Sequence, residues 1–223
     1  MPLDPTAAIE ITAFNWVPDF AKGNVRDLRV RWALEEAGLA YRARLFDAKD
    51  ARPEGYLREQ PFGQVPAYEC GDVRMFESVA IALEIAEGSE ALMPRDPMGR
   101  ARARTWAIAA INSVEIAINA LIDVDVFHAG EDWAKARRPQ AEQEVRRRLT
   151  LLSGWLGDKD HLEDRFTVGD LLMASVLRAL RHTDLVAEHE NLKAYLARCE
   201  ARPAFARALA DHMAAFERPR EAA

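Results

Sequence analysis

Two stretches, IEITAF at 9–14 and YRARLFD at 41–47, alternate apolar and polar residues. Between them DLRVRWALEEAG at 27–38 is rich in helix formers, opens on Asp27 and ends at Gly38. Alternation with period two is the mark of a half-buried strand, and an acidic residue followed by helix formers and a closing glycine is the mark of a helix. Two strands joined through a helix run parallel, because the chain must travel back along the sheet before the second begins. The first fifty residues are therefore expected to form a βαβ unit, which commits this half of the chain to a sheet with helices packed on it.

The same half continues with a polar segment, 48–60, broken by Pro53 and Gly55, in which GYLREQ suggests a short irregular helix. VPAYEC (65–70), the hairpin-compatible pair Gly71-Asp72, and VRMFE (73–77) predict an antiparallel hairpin. SVAIALEIAEG (78–88) predicts a helix, giving the order β-α-β-(α)-β-β-α. Residues 88–99, GSEALMPRDPMG, hold two prolines and two glycines and read as a linker. Beyond them every signal is helical. The expected helices span 100–127, 142–157, 165–180, where Thr167 and Asp170 have capping-box spacing, and 192–216, broken near Pro203. The expected fold class is α/β followed by all-α, with domains at 1–88 and 100–223 and a linker at 89–99.

With 223 residues, 49% of them hydrophobic, the chain can bury a substantial core. A formal net charge of −6, with basic residues scattered, offers no field for nucleic acid or an anionic membrane. MPLDPTAAIEIT lacks the basic start and apolar run of a secretory signal, and no stretch of transmembrane length is free of charge, so a cytoplasmic protein is expected. Cys70 and Cys199 form no CxxC pair, and the histidines have no ligand-like spacing, so neither a disulfide framework nor a metal site is expected.

Two short motifs suggest a ligand. In QVPAY, Pro66 stands where a strand should begin, leaving the N–H and C=O of Val65 open to an extended, peptide-like partner; read alone it is equally an edge-strand proline with no ligand. In FES, Ser78 lies at a helix N-terminus, where free N–H groups and the positive dipole end favour a carboxylate; read alone it is equally a helix cap.

RVRWALEEAGLAY (29–41), PFGQVPAYE (61–69), FESVAIALEIAE (76–87) and RFTVGDLLMAS (165–175) with YLARCEARPAF (195–205) keep the order and spacing of the cytosolic glutathione transferase family, and the chain resembles its bacterial members over nearly its whole length. The resemblance implies a thioredoxin-like first domain, a helical-bundle second domain, a cis Val65–Pro66 bond and glutathione as co-substrate. It assigns Gln64, Val65 and Pro66 to the tripeptide's backbone and Glu77 and Ser78 to its γ-glutamyl end, with Lys49 and Arg52 as candidates for the glycyl carboxylate. A homodimer is also implied.

In this family a Tyr, Ser or Cys after the first strand helps ionise the bound thiol. Here the loop NWVPDFAKGNVRD (15–27) holds none of the three. Counting back from the helix reaches Asn24 and Arg26, and counting forward from the strand reaches Trp16; each side chain can donate a hydrogen bond. Asn24 is the leading candidate. Trp16 can instead pack beneath the loop, and Asn24 can cap the helix. Phe20, Trp106 and Asn112 are positional candidates for the electrophile's pocket. The function implied is attack of the glutathione thiolate on a small hydrophobic electrophile. The alternatives are a glutathione-dependent peroxidase or lyase, or a non-catalytic binding or scaffold protein; thiol exchange and isomerisation are disfavoured by the missing Cys and the missing Ser-rich motif.

Overall fold

The computed structural model describes residues 3–217. Their contacts divide the chain into two compact units: residues up to Met93 together with those from Ala201 on, and Pro94–Glu200.

In the first unit, β1 (Ile9–Trp16), α1 (Asp27–Ala37) and β2 (Tyr41–Asp47) form the expected parallel βαβ unit, and α1 ends at Gly38 in the left-handed conformation (φ 68°). The expected irregular helix is a 3-10 turn at Tyr56–Arg58. β3 (Ala67–Cys70) starts after a cis Val65–Pro66 peptide bond and pairs with β4 (Val73–Phe76) across Gly71-Asp72, Ala67 standing opposite Phe76. α2 (Ser78–Glu87) follows, and the sheet order is β2-β1-β3-β4. This is the thioredoxin-like arrangement. The fully buried Ile11 and Ala13 of β1, Val30, Ala33 and Leu34 of α1 and Ile81 and Ala82 of α2 supply its core.

The second unit is all helical. Pro97–Phe127 is one continuous helix in which α3 (Pro97–Ala109) and α4 (Ile116–Ile122) are separated and followed by wider π turns, Ala110–Glu115 and Asp123–Phe127. It is long and apolar enough to cross a membrane by length and composition alone. Its buried Ala103, Ala107, Val114, Ile118 and Leu121 instead make it the core helix of the unit. α5 (Asp132–Leu156) and α6 (Val168–Arg178) pack with it, and α7 (Glu190–Glu200) packs on α5 and α6. The capping box at the start of α6 is formed: the Thr167 N–H donates to Asp170 Oδ2 at 2.9 Å, and Thr167 Oγ1 accepts from the Gly169 N–H. As expected, α6 is buried nearly all round.

Three boundaries differ from expectation. α3 begins inside the expected linker, because Pro97 occupies the first helical position, where a missing N–H is harmless, and Asp96 caps the Gly99 N–H at 2.8 Å. α5 starts at Asp132, ahead of the expected 142, and runs through Pro139, an interior position where the ring removes one main-chain N–H from the ladder. Most consequentially, α8 (Pro203–Ala214) belongs to the first unit and not to the expected helical domain at 100–223, because it packs along α1. Phe205 lies 4.7 Å from the Trp32 ring, and Arg202 and Arg207 pair with Glu36 and Glu35.

Candidate functional site

The carboxyl end of β1 and the amino end of α1 set one wall of the site. After Trp16 the chain passes through a 3-10 turn, Asp19–Ala21, bends at Gly23 (φ 77°), and reaches Asn24, whose N–H donates to the Ala21 carbonyl at 2.9 Å. Arg26, at the helix N-cap, provides no side-chain cap, so the first turn of α1 keeps its positive dipole end toward this loop.

The opposite wall is the segment before β3. Among the described residues neither the N–H nor the C=O of Val65 takes an intramolecular partner. Such open main-chain groups usually mark a strand-like ligand or water. Asn24, Val25, Arg26, Gly63, Gln64 and Val65 converge, over Phe14, on an open cleft of about 300 Å³. Two residues named from opposite directions in the sequence, Asn24 and Val65, thus face the same space.

What holds Val65 in place is a relay of three hydrogen bonds, two of them buried and the third part-buried. The Ala67 N–H donates to Thr12 Oγ1 at 2.7 Å, Thr12 lies 2.8 Å from the Tyr56 hydroxyl, and Tyr56 donates to the Gln64 carbonyl at 2.7 Å. The far end fixes the direction: Tyr56 spends its one proton on the Gln64 carbonyl and so accepts from the Thr12 hydroxyl. Burial, partly offset by the Thr12 bond, pushes the Tyr56 hydroxyl above its ordinary range, so it stays a donor. Gln60, also buried, accepts from the Phe62 and Gln64 N–H groups through its side-chain oxygen at 2.7 and 3.1 Å. Sequence reasoning missed Thr12, Tyr56 and Gln60. The available signal was Thr12: a hydroxyl between Ile11 and Ala13 in a central strand must find partners indoors.

The β3–β4 register, with Ala67 opposite Phe76, brings the start of α2 beside the Val65–Pro66 turn. There Glu77 adopts φ 69°, ψ 110°, and it is the single non-glycine residue with positive φ among those described. A backbone held in that region costs of order 1–3 kcal/mol and clusters at ligand clamps. Ser78 is only 4% exposed, yet its hydroxyl has no intramolecular partner among the described residues.

The remaining candidates are placed differently. Lys49 rests its ammonium 3.8 Å above the Trp16 ring, so Trp16 packs with Lys49. Arg52 donates to the main-chain carbonyls of Asp47 and Gly63 at 3.0 and 3.2 Å and so braces the loops. Phe20 is exposed on the 3-10 turn. Trp106 and Asn112 belong to the helical unit. The Trp106 indole N–H donates to Glu163 at 2.6 Å and its ring packs on Trp155, while Asn112 opens onto a cleft of about 880 Å³ shared with α5.

Comparison with known proteins adds a second line of argument. A family model described as glutathione S-transferase, N-terminal domain, matches residues 12–87, and one described as glutathione S-transferase, C-terminal domain, matches 118–203. A glutathione S-transferase of Hyoscyamus muticus is 30% identical over 179 residues, covering 73% of this chain and 81% of that protein. A maleylacetoacetate isomerase of Rhizobium meliloti (strain 1021) is 30% identical over 195 residues, covering 82% and 90%. Among solved structures, the theta class glutathione S-transferase of Xanthomonas axonopodis pv. citri, with glutathione bound, aligns with a TM-score of 0.76 at 27% identity over 92% of this chain and 98% of that one.

Proposed function

Because the chain belongs to the glutathione S-transferase family, we propose that the cleft at Val65 binds glutathione and presents its thiolate to a small hydrophobic electrophile. The observation that carries this reading is the pairing of an open Val65 main chain with an unpartnered Ser78 hydroxyl, the one accessible part of an otherwise buried residue, one strand away. The cysteinyl main chain pairs with Val65 as an added strand would. The γ-glutamyl carboxylate takes the Ser78 hydroxyl and the positive end of α2, and Glu77 pairs with the α-amino group. Lys49 is the better of the two cations for the glycyl carboxylate, since the Arg52 fork is committed to main-chain carbonyls.

The sulfur then lies toward Asn24. A free thiol ionises near pKa 8.5, and lowering that by about two units takes about 2.7 kcal/mol of stabilisation favouring the anion. One hydrogen bond from the Asn24 side-chain amide together with the dipole of α1 is of that size. The thiol proton leaves to solvent, sulfur forms a bond to the electrophilic carbon, and the leaving group departs with its electron pair. The same proposal takes the working form to be a cytoplasmic homodimer, as is common in the family.

The ultraviolet thiolate band of bound glutathione, titrated against pH, is the direct test. The band is expected to persist well below the pKa of free glutathione, with turnover on an aryl halide. Glutathione bound with its thiol protonated at neutral pH would leave a binding role in place of catalysis. Turnover on a hydroperoxide or thioether substrate in place of the aryl halide would redirect the reading to a peroxidase or lyase.

A further inference from the structure

The last helix places a buried imidazole against the loop that carries Asn24. His212 of α8, 1% exposed, accepts a hydrogen bond at Nε2 from the Gly23 N–H at 3.2 Å, and its Nδ1 lies 3.1 Å from Asp27 Oδ2. A main-chain N–H can only donate, so Nε2 carries a lone pair and the ring proton sits on Nδ1, donated to the carboxylate; the tautomer is assigned from these partners. Asp27, the first residue of α1 and equally buried, also accepts from Arg31 Nε at 2.8 Å. Burial alone would raise its carboxyl, but His212 and Arg31 hold it below the usual carboxylate range. One edge of the imidazole is therefore locked to α1, and the other grips the main chain one residue before Asn24.

Docking of α8 does not explain this arrangement. The Trp32–Phe205 contact and the pairs of Arg202 with Glu36 and Arg207 with Glu35 already fasten α8 along α1. An apolar side chain at 212 would pack there without the desolvation cost of a buried polar dyad. What only the imidazole supplies is an acceptor at Gly23, where the loop turns through φ 77° toward the cleft.

We propose that His212, oriented by Asp27, is a positioning residue for thiol activation: it fixes the Gly23–Asn24 main chain so that Asn24 meets the glutathione sulfur. The proposal rests on the reading of Asn24 given above. It predicts an effect on the chemical step and not on glutathione binding, because Val65, Glu77 and Ser78 are held by other elements.

The test compares two variants of the full chain. His212→Asn retains a donor toward Asp27 at the Nδ1 position but withdraws the acceptor from Gly23. His212→Gln retains an acceptor at the Nε2 position. kcat and KM for glutathione with an aryl halide, the pH midpoint of the bound thiolate band and the hydrogen-exchange protection of the Gly23 amide are measured for each. His212→Asn is expected to lower kcat about tenfold. KM should stay within about twofold while the thiolate midpoint rises by about one unit. Gly23 protection should be lost, and His212→Gln should recover most of kcat and the protection. Equal losses in both variants, or wild-type kcat and midpoint in His212→Asn, overturn the positioning role. Absence of a thiolate band in the unaltered protein would instead overturn the functional reading itself, and this proposal with it.

Discussion

Ser78 separates binding from folding cleanly, because a hydroxyl that makes no internal hydrogen bond and is not sealed from solvent contributes little to the fold. Ser78→Ala is expected to weaken glutathione binding about tenfold by calorimetry, the value of one charge-assisted hydrogen bond, with thermal stability nearly unchanged. Asn24→Ala should behave oppositely: binding within about twofold, but a thiolate midpoint raised by about one unit and kcat lowered in proportion. Asp27 is a stability residue. Its carboxyl is depressed in the folded state, so its contribution is complete above the unfolded pKa of about 3.9 and is lost as pH falls through the lower folded value. Asp27→Asn leaves the buried Arg31 without a counter-charge and should cost about 3–5 kcal/mol at neutral pH, and its melting temperature should depend less on pH below about pH 4 than that of the unaltered chain. At this scale the sequence made Val65, Ser78 and Asn24 visible because each breaks a local rule: a proline opening a strand, a hydroxyl opening a helix, a loop without its usual nucleophile partner. Tyr56, Gln60 and His212 obey every local rule, and Thr12 signals only that its hydroxyl needs a partner, not which one. Their roles arise only from contacts with distant parts of the chain, such as that of Thr12 with Tyr56, 44 positions further on.

Elements matter here chiefly through what ties them. The Thr12–Tyr56–Gln64 relay joins β1, the 3-10 turn and the segment before β3, and the two hydrogen bonds made by Thr12 are shielded from water. Tyr56→Phe removes the donor to Gln64 and the acceptor for Thr12 while keeping the ring's edge contact with Phe46. About 1–3 kcal/mol of stability should be lost, a fall of roughly 3–8 °C in melting temperature, with KM for glutathione raised as Val65 loosens. The element boundaries that sequence reading placed correctly, from Asp27 to Gly38 and across the Gly71-Asp72 turn, are those written in local chemistry. The start it misplaced at Pro97 is a proline at the first position of a helix, where the residue's reputation as a breaker does not apply, while α5 continues through the interior Pro139 because the rest of its length packs.

For the whole molecule, a division at the linker was the natural reading, because composition changes there from alternating to helical. The chain obeys a different division, since α8 covers the apolar and charged face of α1 and so completes the first unit from the far end. Nothing local in PAFARALADHMAAF distinguishes a helix that serves its neighbours from one that returns to a distant partner. The return has a consequence for how the protein is made. Gly23 and His212 are 189 residues apart, so the loop at Gly23 cannot be clasped while the ribosome is still adding the helices between them. A nascent chain that stops short of α8 would carry every residue lining the cleft and still lack the hydrogen bond that holds the turn at Gly23, so the shape of that loop is settled last.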